Sequence, residues 1–414
     1  MLGINVLIPY GSNYLSLELS NATVILPRRE VIPKDELGII KNSLENPIGA
    51  PKLRELVDPH HRVCLLVSDI TRPLPSYKVV PLIINELVKS GVKNDNISIV
   101  FATGIHRPHT RDEWIKLLGV DIVKGFKVFD HNCWSNFVEY LGKTSRGTPV
   151  LINSTVVNAD LRIGVANIDP HYFAGYSGGG KSVLPGVAAY DSIKENHRMM
   201  LLPGAELAKL DGNPVREDIE EAASILGLEY IVNVVLNERK EIVGSVAGHF
   251  IKAHREGVRI FNKIYGVEVG RKYDVVIASP GGYPKDINLY QAHKALEVAY
   301  RCVNKGGVIV LVAECDEGVG DSKTEELLYS GMGPEEIINF VKGNFDLGYH
   351  KVYAISRIAV NAEVVVVSHN IRESKIFKVF KNLGDAMKYV NQVVRGGDVL
   401  VLPYASSIIP KDLI

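Results

Sequence analysis

Residues 62–91 read "RVCLLVSDITRPLPSYKVVPLIINELVKSG" and contain the unit from which the fold is built. The run 62–69 is apolar and rich in branched side chains, which predicts a buried β-strand. The run 76–91 has apolar residues at helical spacing and ends on a glycine, which predicts a helix. The short turn between the two runs therefore joins a strand to a helix, and this is the repeating unit of α/β proteins.

The same order of strand, loop and helix recurs in both halves of the chain. Further strands are predicted at 96–104, 159–168, 273–282 and 308–314, a β-hairpin at 230–248 and a helix at 289–307. At 414 residues the chain is too long for one ordinary core. We therefore predict an α/β fold of two domains, residues 1–268 and 269–414, each with a largely parallel sheet.

Composition narrows the range of partners. Lys plus Arg equals Asp plus Glu, both 47, so no net charge favours nucleic acid or an anionic membrane. The four cysteines have no C-x-x-C spacing and lie in or beside apolar runs, which predicts buried thiols in a reducing compartment: Cys64, Cys133, Cys302 and Cys315. No signal peptide or run of about 18 apolar residues is evident, so we expect a cytoplasmic protein.

Residues 175–182, "GYSGGGKS", fit the phosphate-binding P-loop pattern G-x-x-x-x-G-K-S. A P-loop requires a helix that begins at its Gly-Lys, directly after a strand. Here the preceding strand ends near residue 167, and Pro185 would break such a helix at a cost of about 3 kcal/mol. The context therefore disfavours an NTPase, although it remains the alternative. Lys181 could equally be a covalent anchor or an ordinary surface lysine.

Polar clusters follow two of the predicted strands. "SDITRPLP" (68–75) contains Asp69 and Arg72, and "TGIHRPHT" (103–110) contains His106 and His109. An arginine can bind a carboxylate with two hydrogen bonds, and a histidine can transfer protons near pH 7. Open α/β sheets bind ligands at this edge, although both clusters could also be ordinary turns.

Two more histidines flank the lysine, His171 ten residues before Lys181 and His197 sixteen residues after it. In the second half, Tyr290, Gln291 and Lys294 open the helix that follows "SPGGYPKD", where they could bind a small anion or simply form a solvated first turn. The sequence has no HExxH, no CxxC and no carboxylate cluster. A metal bound here would therefore need most of its ligands from something other than protein.

Taken together, the segments "SDITRP", "TGIHR", "DPHYFAGYSGGGKS", "NH" (196–197) and "YQAHK" (290–294) resemble the nickel-pincer lactate racemase family. The resemblance implies a racemase or epimerase of a small 2-hydroxy acid, such as lactate. It also implies a nickel pincer nucleotide, a pyridinium-3,5-bisthiocarboxylic acid mononucleotide that carries Ni(II) and is made by cofactor-biosynthesis enzymes. In this family the cofactor accepts the C2 hydride and returns it to the other face.

The resemblance also implies a role for each residue. The active site would lie in a cleft between the domains, with the second domain closing over the substrate. The implied roles are Lys181 as covalent tether, Gly178, Gly179, Gly180 and Ser182 as cofactor contacts, His197 as nickel ligand, His106 and His171 as acid/base pair, and Asp69, Arg72, Tyr290, Gln291 and Lys294 as substrate contacts. One departure is Gly180, because members of the family often have arginine before the tethering lysine.

Overall fold

A computed structural model describes residues 4–28 and 31–413. These residues form two compact units, which we call the middle unit (31–264) and the outer unit (4–28 together with 265–413). The predicted boundary at residue 268 lies close to the observed one. The prediction that the N-terminal residues belong to the first domain is wrong, because they form strands within the outer unit.

The outer unit begins with three strands, β1 (Ile4–Tyr10), β2 (Asn13–Leu19) and β3 (Thr23–Val24). β1 and β2 pair as an antiparallel hairpin. β3 leaves the hairpin and joins the edge of the main sheet of the unit, which is built from C-terminal strands. A strand that completes a sheet stabilises it by pairing an otherwise open edge, so the first residues are part of this unit.

The middle unit contains ten strands and nine helices. Its strands are β4 (Val63–Ser68), β5 (Ile97–Ala102), β6 (Lys127–Asp130), β7 (Val138–Lys143), β8 (Pro149–Asn153), β9 (Leu161–Asn167), β10 (Pro170–His171), β11 (Gly175–Tyr176), β12 (Tyr230–Leu236) and β13 (Ile242–Gly248). Its helices are α1 (Glu36–Glu45), α2 (Leu53–Leu56), α3 (Ser76–Lys89), α4 (Arg111–Leu118), α5 (Val120–Gly125), α6 (Ser154–Val157), α7 (Tyr190–Arg198), α8 (Pro214–Leu226) and α9 (Lys252–Tyr265).

The main sheet of the middle unit has the order β13-β12-β9-β4-β5-β6. All neighbours run parallel except β13, which pairs antiparallel with β12 at one edge. The central strand β4 is buried along almost its whole length, as expected for a parallel strand covered on both faces. Because β9, β4 and β5 are adjacent, the loops that follow them lie side by side at one edge of the sheet.

The outer unit continues with β14 (Gly266–Val267), β15 (Tyr273–Ala278), β16 (Val303–Val312), β17 (Glu363–Val367), β18 (Lys378–Phe380), β19 (Val399–Leu402) and β20 (Ile409–Pro410). Its helices are α10 (Leu289–Cys302), α11 (Ser322–Leu328), α12 (Pro334–Gly343), α13 (His350–Ala359) and α14 (Leu383–Val393). The main sheet is entirely parallel, in the order β18-β17-β16-β15-β19-β3. The predicted α/β class with largely parallel sheets is therefore confirmed in both units.

Most of the predicted elements are observed within a few residues of their predicted ends. The hairpin at 230–248 is β12 and β13, and the helix predicted at 289–307 is α10. That helix ends earlier than expected, at Cys302, because Val303 already pairs with Tyr273 in the sheet. The four cysteines are buried and unpaired, as predicted. Within the described residues, no helix is long and apolar enough to cross a membrane.

Candidate active site

The loops after β9, β4 and β5 carry three of the predicted site residues at neighbouring positions. Asp69 follows β4, His106 lies four residues after the end of β5, and His171 lies four residues after the end of β9. These strands are adjacent in the sheet, so the residue types selected from sequence converge on one edge. This edge is where ligands bind in open α/β sheets.

Asp69 and His106 form a hydrogen-bonded pair, with 2.6 Å between His106 Nδ1 and Asp69 Oδ2. The Asp69 side chain is 4% exposed and that of His106 is 39% exposed, so the carboxylate lies beneath the ring. Asp69 also accepts hydrogen bonds from the Thr71 amide and hydroxyl. Burial alone would raise the pKa of Asp69, but His106, Thr71 and Arg72 together lower it below its ordinary value.

The ionised carboxylate fixes the tautomer of His106. Since a carboxylate only accepts hydrogen bonds, Nδ1 of the neutral ring must carry the proton and Nε2 the lone pair. Among the described residues, Nε2 has no hydrogen-bond partner. His106 thus presents an accessible ring nitrogen that can accept a proton.

His109, the other histidine of this loop, is bonded through both ring nitrogens. Nδ1 lies 2.6 Å from Asp130 Oδ1, and Nε2 accepts a hydrogen bond of 3.0 Å from the Ile70 amide. Its side chain is fully buried. Of the two histidines, only His106 has a ring nitrogen available to a substrate.

His171 is the opposite tautomer. Its Nδ1 accepts a hydrogen bond of 3.3 Å from the Ala174 amide, so the neutral ring carries its proton on Nε2. Phe173 packs perpendicular to the His171 ring, with 4.5 Å between centroids, and also contacts His197 at 5.1 Å. Phe173 therefore links the predicted acid/base residue to the predicted nickel ligand.

His197 lies in the last turn of α7, which a buried asparagine anchors. Asn196 donates hydrogen bonds to Asp218 Oδ2, at 2.8 Å, and to the Val215 carbonyl, at 3.2 Å, both on α8. These two hydrogen bonds hold α7 against α8 and so fix the orientation of the neighbouring His197 on the helix. This residue is partly buried, and its imidazole is the type of ligand that nickel accepts.

The loop that contains Lys181 does not have P-loop geometry. Residues Gly179–Ser182 form a single 3₁₀ turn, and the next α-helix, α7, begins only at Tyr190. The last strand of the main sheet before the loop, β9, ends at Asn167, as predicted, and the two short strands β10 and β11 intervene. The P-loop interpretation is therefore wrong, for the reasons that its sequence context indicated.

The glycines of the loop face protein on the side where a side chain would project. A Cβ on Gly178 would lie 2.6 Å from Asn233 Oδ1, and one on Gly179 would lie 3.0 Å from the His254 ring. Both have positive φ, +78° and +60°, which glycine adopts without strain. Close packing thus explains these glycines, and their contact with a cofactor stays a prediction.

Gly180 and Ser182 also pack inward. A Cβ on Gly180 would lie 3.1 Å from Ala223 Cβ of α8, so a larger residue would require α8 to shift. Ser182 is buried, and its hydroxyl donates to the Gly179 carbonyl at 3.2 Å. The Ser182 hydroxyl therefore stabilises the 3₁₀ turn, and its predicted role toward a cofactor is untested.

Arg216, which no sequence pattern indicated, fixes the backbone of this loop. It is fully buried on α8 and donates hydrogen bonds to the carbonyls of Ala174, Tyr176 and Gly178. Burial lowers its pKa to about 10. Asn213 is the N-cap of α8 and Pro214 its first residue, and this local pattern does not reveal that Arg216 turns inward.

The positive charge of Arg216 also acts on the amine of Lys181. Burial lowers its pKa well below the ordinary value, and the guanidinium groups of Arg216 and Arg72 lower it further. The same electrostatic contact places Arg72, predicted as a substrate ligand, near Lys181. A lower pKa increases the fraction of neutral, nucleophilic amine, which is the form that a covalent anchor requires.

The outer unit places its three predicted residues together at the start of α10. Asn288 caps the helix by accepting from the Gln291 amide at 3.0 Å, and Tyr290 and Lys294 are one turn apart. Lys351, another residue missed from sequence, is buried with its amine 4.4 Å from the centre of the Tyr290 ring. Its amine also lies 3.2 Å from His293 Nε2.

In the described part of the chain, no group of three or more His, Cys, Asp or Glu is placed to hold a metal ion.

Comparison with known proteins covers nearly the whole chain. Residues 10–208 match the lactate racemase N-terminal domain model, and residues 269–409 match the C-terminal domain model. A lactate racemase from Thermoanaerobacterium thermosaccharolyticum is 33% identical over 99% of both chains. One from Lactiplantibacillus plantarum is 34% identical over 90% of both.

Solved structures give the same result. The lactate racemase apoprotein of T. thermosaccharolyticum superposes with a TM-score of 0.88 and 31% identity, covering 98% of this chain and 99% of that one. A Thermotoga maritima protein solved by a structural genomics consortium covers 92% of this chain and 99% of its own, with a TM-score of 0.62 and 16% identity, and shares the fold. The chain belongs to the lactate racemase family, and it is an isomerase of the racemase type.

Proposed function

We propose that this protein racemises a small 2-hydroxy acid, lactate in the first instance because both curated relatives are lactate racemases. The observation that carries the proposal is the pair of histidines with opposite tautomers. His106 presents an unprotonated Nε2, held by Asp69, and the neutral ring of His171 carries its proton on Nε2. Racemisation requires one group that takes the hydroxyl proton of the substrate and one that returns a proton after inversion, and a pair of histidines, one neutral and one protonated, can supply both.

The cofactor we propose is a nickel pincer nucleotide, attached through Lys181 and completed by His197. The residues fit this group in two respects. The lowered pKa of Lys181 leaves its amine free to form an amide-type bond, and His197 offers one imidazole where no protein cluster is present among the described residues. When bound, the cofactor supplies a hydride acceptor, which no side chain can provide.

The side chains of this protein would bind and deprotonate the substrate. Arg72 would pair with the substrate carboxylate, since its planar guanidinium can form two parallel hydrogen bonds. His106 Nε2 would accept the hydroxyl proton of one enantiomer, and Asp69 would stabilise the imidazolium that forms. A protonated His171 would return a proton to the hydroxyl of the opposite enantiomer and, in the reverse direction, would accept that proton. We also propose Tyr290, Gln291 and Lys294 as substrate contacts, on the strength of the "YQAHK" motif.

The tether can be tested by intact-mass spectrometry of protein that is coexpressed with cofactor-biosynthesis enzymes. We expect a covalent adduct on the wild type, on His106→Gln and on His171→Gln, but none on Lys181→Ala. The adduct-bearing wild type is then incubated with single enantiomers of a panel of 2-hydroxy acids. If the protein converts none of these acids, its function is to bind the cofactor or a carboxylate without catalysis. Full activity of a chain that carries no adduct would exclude the tether.

A further inference from the structure

The buried His109 lies directly behind the Asp69 loop and bonds to its backbone. The Nε2 of His109 accepts the Ile70 amide proton, at 3.0 Å, and Ile70 is the residue between Asp69 and Thr71. On the other side of the ring, Nδ1 lies 2.6 Å from Asp130 Oδ1. The ring packs against Phe101 at the end of β5, with 4.5 Å between centroids.

The partners of Asp130 determine which nitrogen of His109 is protonated. Asp130 accepts hydrogen bonds from the His109 amide, at 2.9 Å, and from Trp114 Nε1, at 3.2 Å. A carboxylate only accepts hydrogen bonds, and the Ile70 amide donates to Nε2, so the proton of the neutral His109 ring lies on Nδ1. Nε2 then keeps the lone pair that accepts the hydrogen bond of the Ile70 amide. The carboxylate of one loop thereby fixes the backbone of another.

We propose that His109 is a positioning residue, which holds the loop of Asp69 and Arg72 in place through the Ile70 amide. This inference rests on the proposed function, in which Asp69 orients His106. The Ile70 amide is partly buried and needs an acceptor, because an unpaired backbone donor is costly away from water. Without that acceptor the loop shifts to find another, and the pairing of Asp69 with His106 loosens.

Two substitutions separate the two bonds of His109. In His109→Gln the side-chain amide reaches the position of Nε2, and its oxygen can still accept from Ile70. In His109→Asn the amide reaches only the position of Nδ1, so the bond to Asp130 survives and the bond to Ile70 is lost. Both variants remove the ring, so the loss of its packing against Phe101 is common to the two.

The first readout is hydrogen–deuterium exchange of the Ile70 amide in the full chain, by NMR without cofactor. We expect exchange to rise by about tenfold to a hundredfold in His109→Asn, the range for loss of one hydrogen bond to a buried donor, and to stay near wild type in His109→Gln. Should His109→Asn not fold, Asp130→Asn keeps the ring and favours the other tautomer. Faster Ile70 exchange is expected there too.

The second readout is racemisation by cofactor-loaded protein. We expect kcat to fall about tenfold or more in His109→Asn, with substantial recovery in His109→Gln. Equal losses in both variants, or unchanged Ile70 exchange in His109→Asn, would overturn the inference. His106→Gln is measured alongside. If it retains full activity, the proposed function fails instead, whatever the His109 variants show.

Discussion

At the scale of single residues, the chemistry depends on which atom of each side chain carries a proton. Asp69 sets the proton of His106 on Nδ1, while the Ala174 amide leaves the proton of His171 on Nε2. Burial and two neighbouring guanidinium groups lower the pKa of Lys181 well below its ordinary value. Each state follows from one or two nearby groups, so each can be changed by a single substitution.

We predict that Lys181 reacts with acylating reagents at lower pH than the other lysines. Because its pKa is lowered, its amine is neutral at a pH where exposed lysines remain protonated and unreactive. Peptide mapping after brief labelling at neutral pH would measure this. The labelling of Lys181 should decrease when Arg216 is replaced by methionine, and labelling of Lys181 at the average rate would contradict the prediction.

Asp69 should contribute to stability in a pH-dependent way. Its pKa is lowered in the folded state, so its contribution is complete above the unfolded pKa of about 4 and is lost as the pH falls through the folded value. Asp69→Asn should therefore lower the free energy of unfolding at pH 7 more than at pH 3. Chemical denaturation at the two pH values checks this, and an equal loss at both would argue against an ionised Asp69.

At the scale of elements, the 3₁₀ turn at Gly179–Ser182 packs closely against β12, α9 and α8 because Gly178, Gly179 and Gly180 have no side chains. The sequence predicted that no helix begins at Lys181, since Pro185 is incompatible with one. It could not predict the partners of the glycines, because these come from residues more than forty positions away, such as Asn233 and His254. Patterns of spacing report local structure, whereas burial of Arg216 depends on tertiary packing.

The packing of Gly180 leads to a stability prediction. Gly180→Ala places a methyl group 3.1 Å from Ala223 and 3.2 Å from Ile219, so we expect a loss of about 1–3 kcal/mol from overpacking. Gly125→Ala, at the end of α5, meets nothing within 4 Å and serves as the control with little or no loss. Thermal or urea unfolding would compare them. Equal stability of the two variants would show that α8 can shift to accommodate the methyl group at little cost in free energy.

At the scale of the whole molecule, the chain leaves and re-enters one of its two units. Residues 4–28 and 265–413 form the outer unit, and the middle unit is an insertion between them. The sequence predicted the second boundary, where a strand–helix unit begins after α9. It missed the first one, because β3 is only two residues long and its partner β19 lies about 375 positions away.

Deletion of residues 1–28 should therefore affect the C-terminal part of the chain. The deletion removes the ladder between β3 and β19, and it removes Gly11, whose amide donates to Asp286 at 2.7 Å. We expect faster hydrogen exchange in β19 and in the 279–288 loop, with β4 and β9 unchanged. Mass spectrometry of peptic peptides measures this, and a change confined to the middle unit would contradict the assignment.

Racemisation of lactate through the His106 and His171 pair can be followed by chiral chromatography. Cofactor-loaded wild type is incubated separately with each enantiomer, beside equally loaded His106→Gln and His171→Gln. We predict that the wild type reaches an equal mixture from either side and that each variant loses conversion in both directions by at least about a hundredfold. Wild-type rates in either variant, or no conversion by loaded wild type, would show that this histidine pair does not racemise lactate.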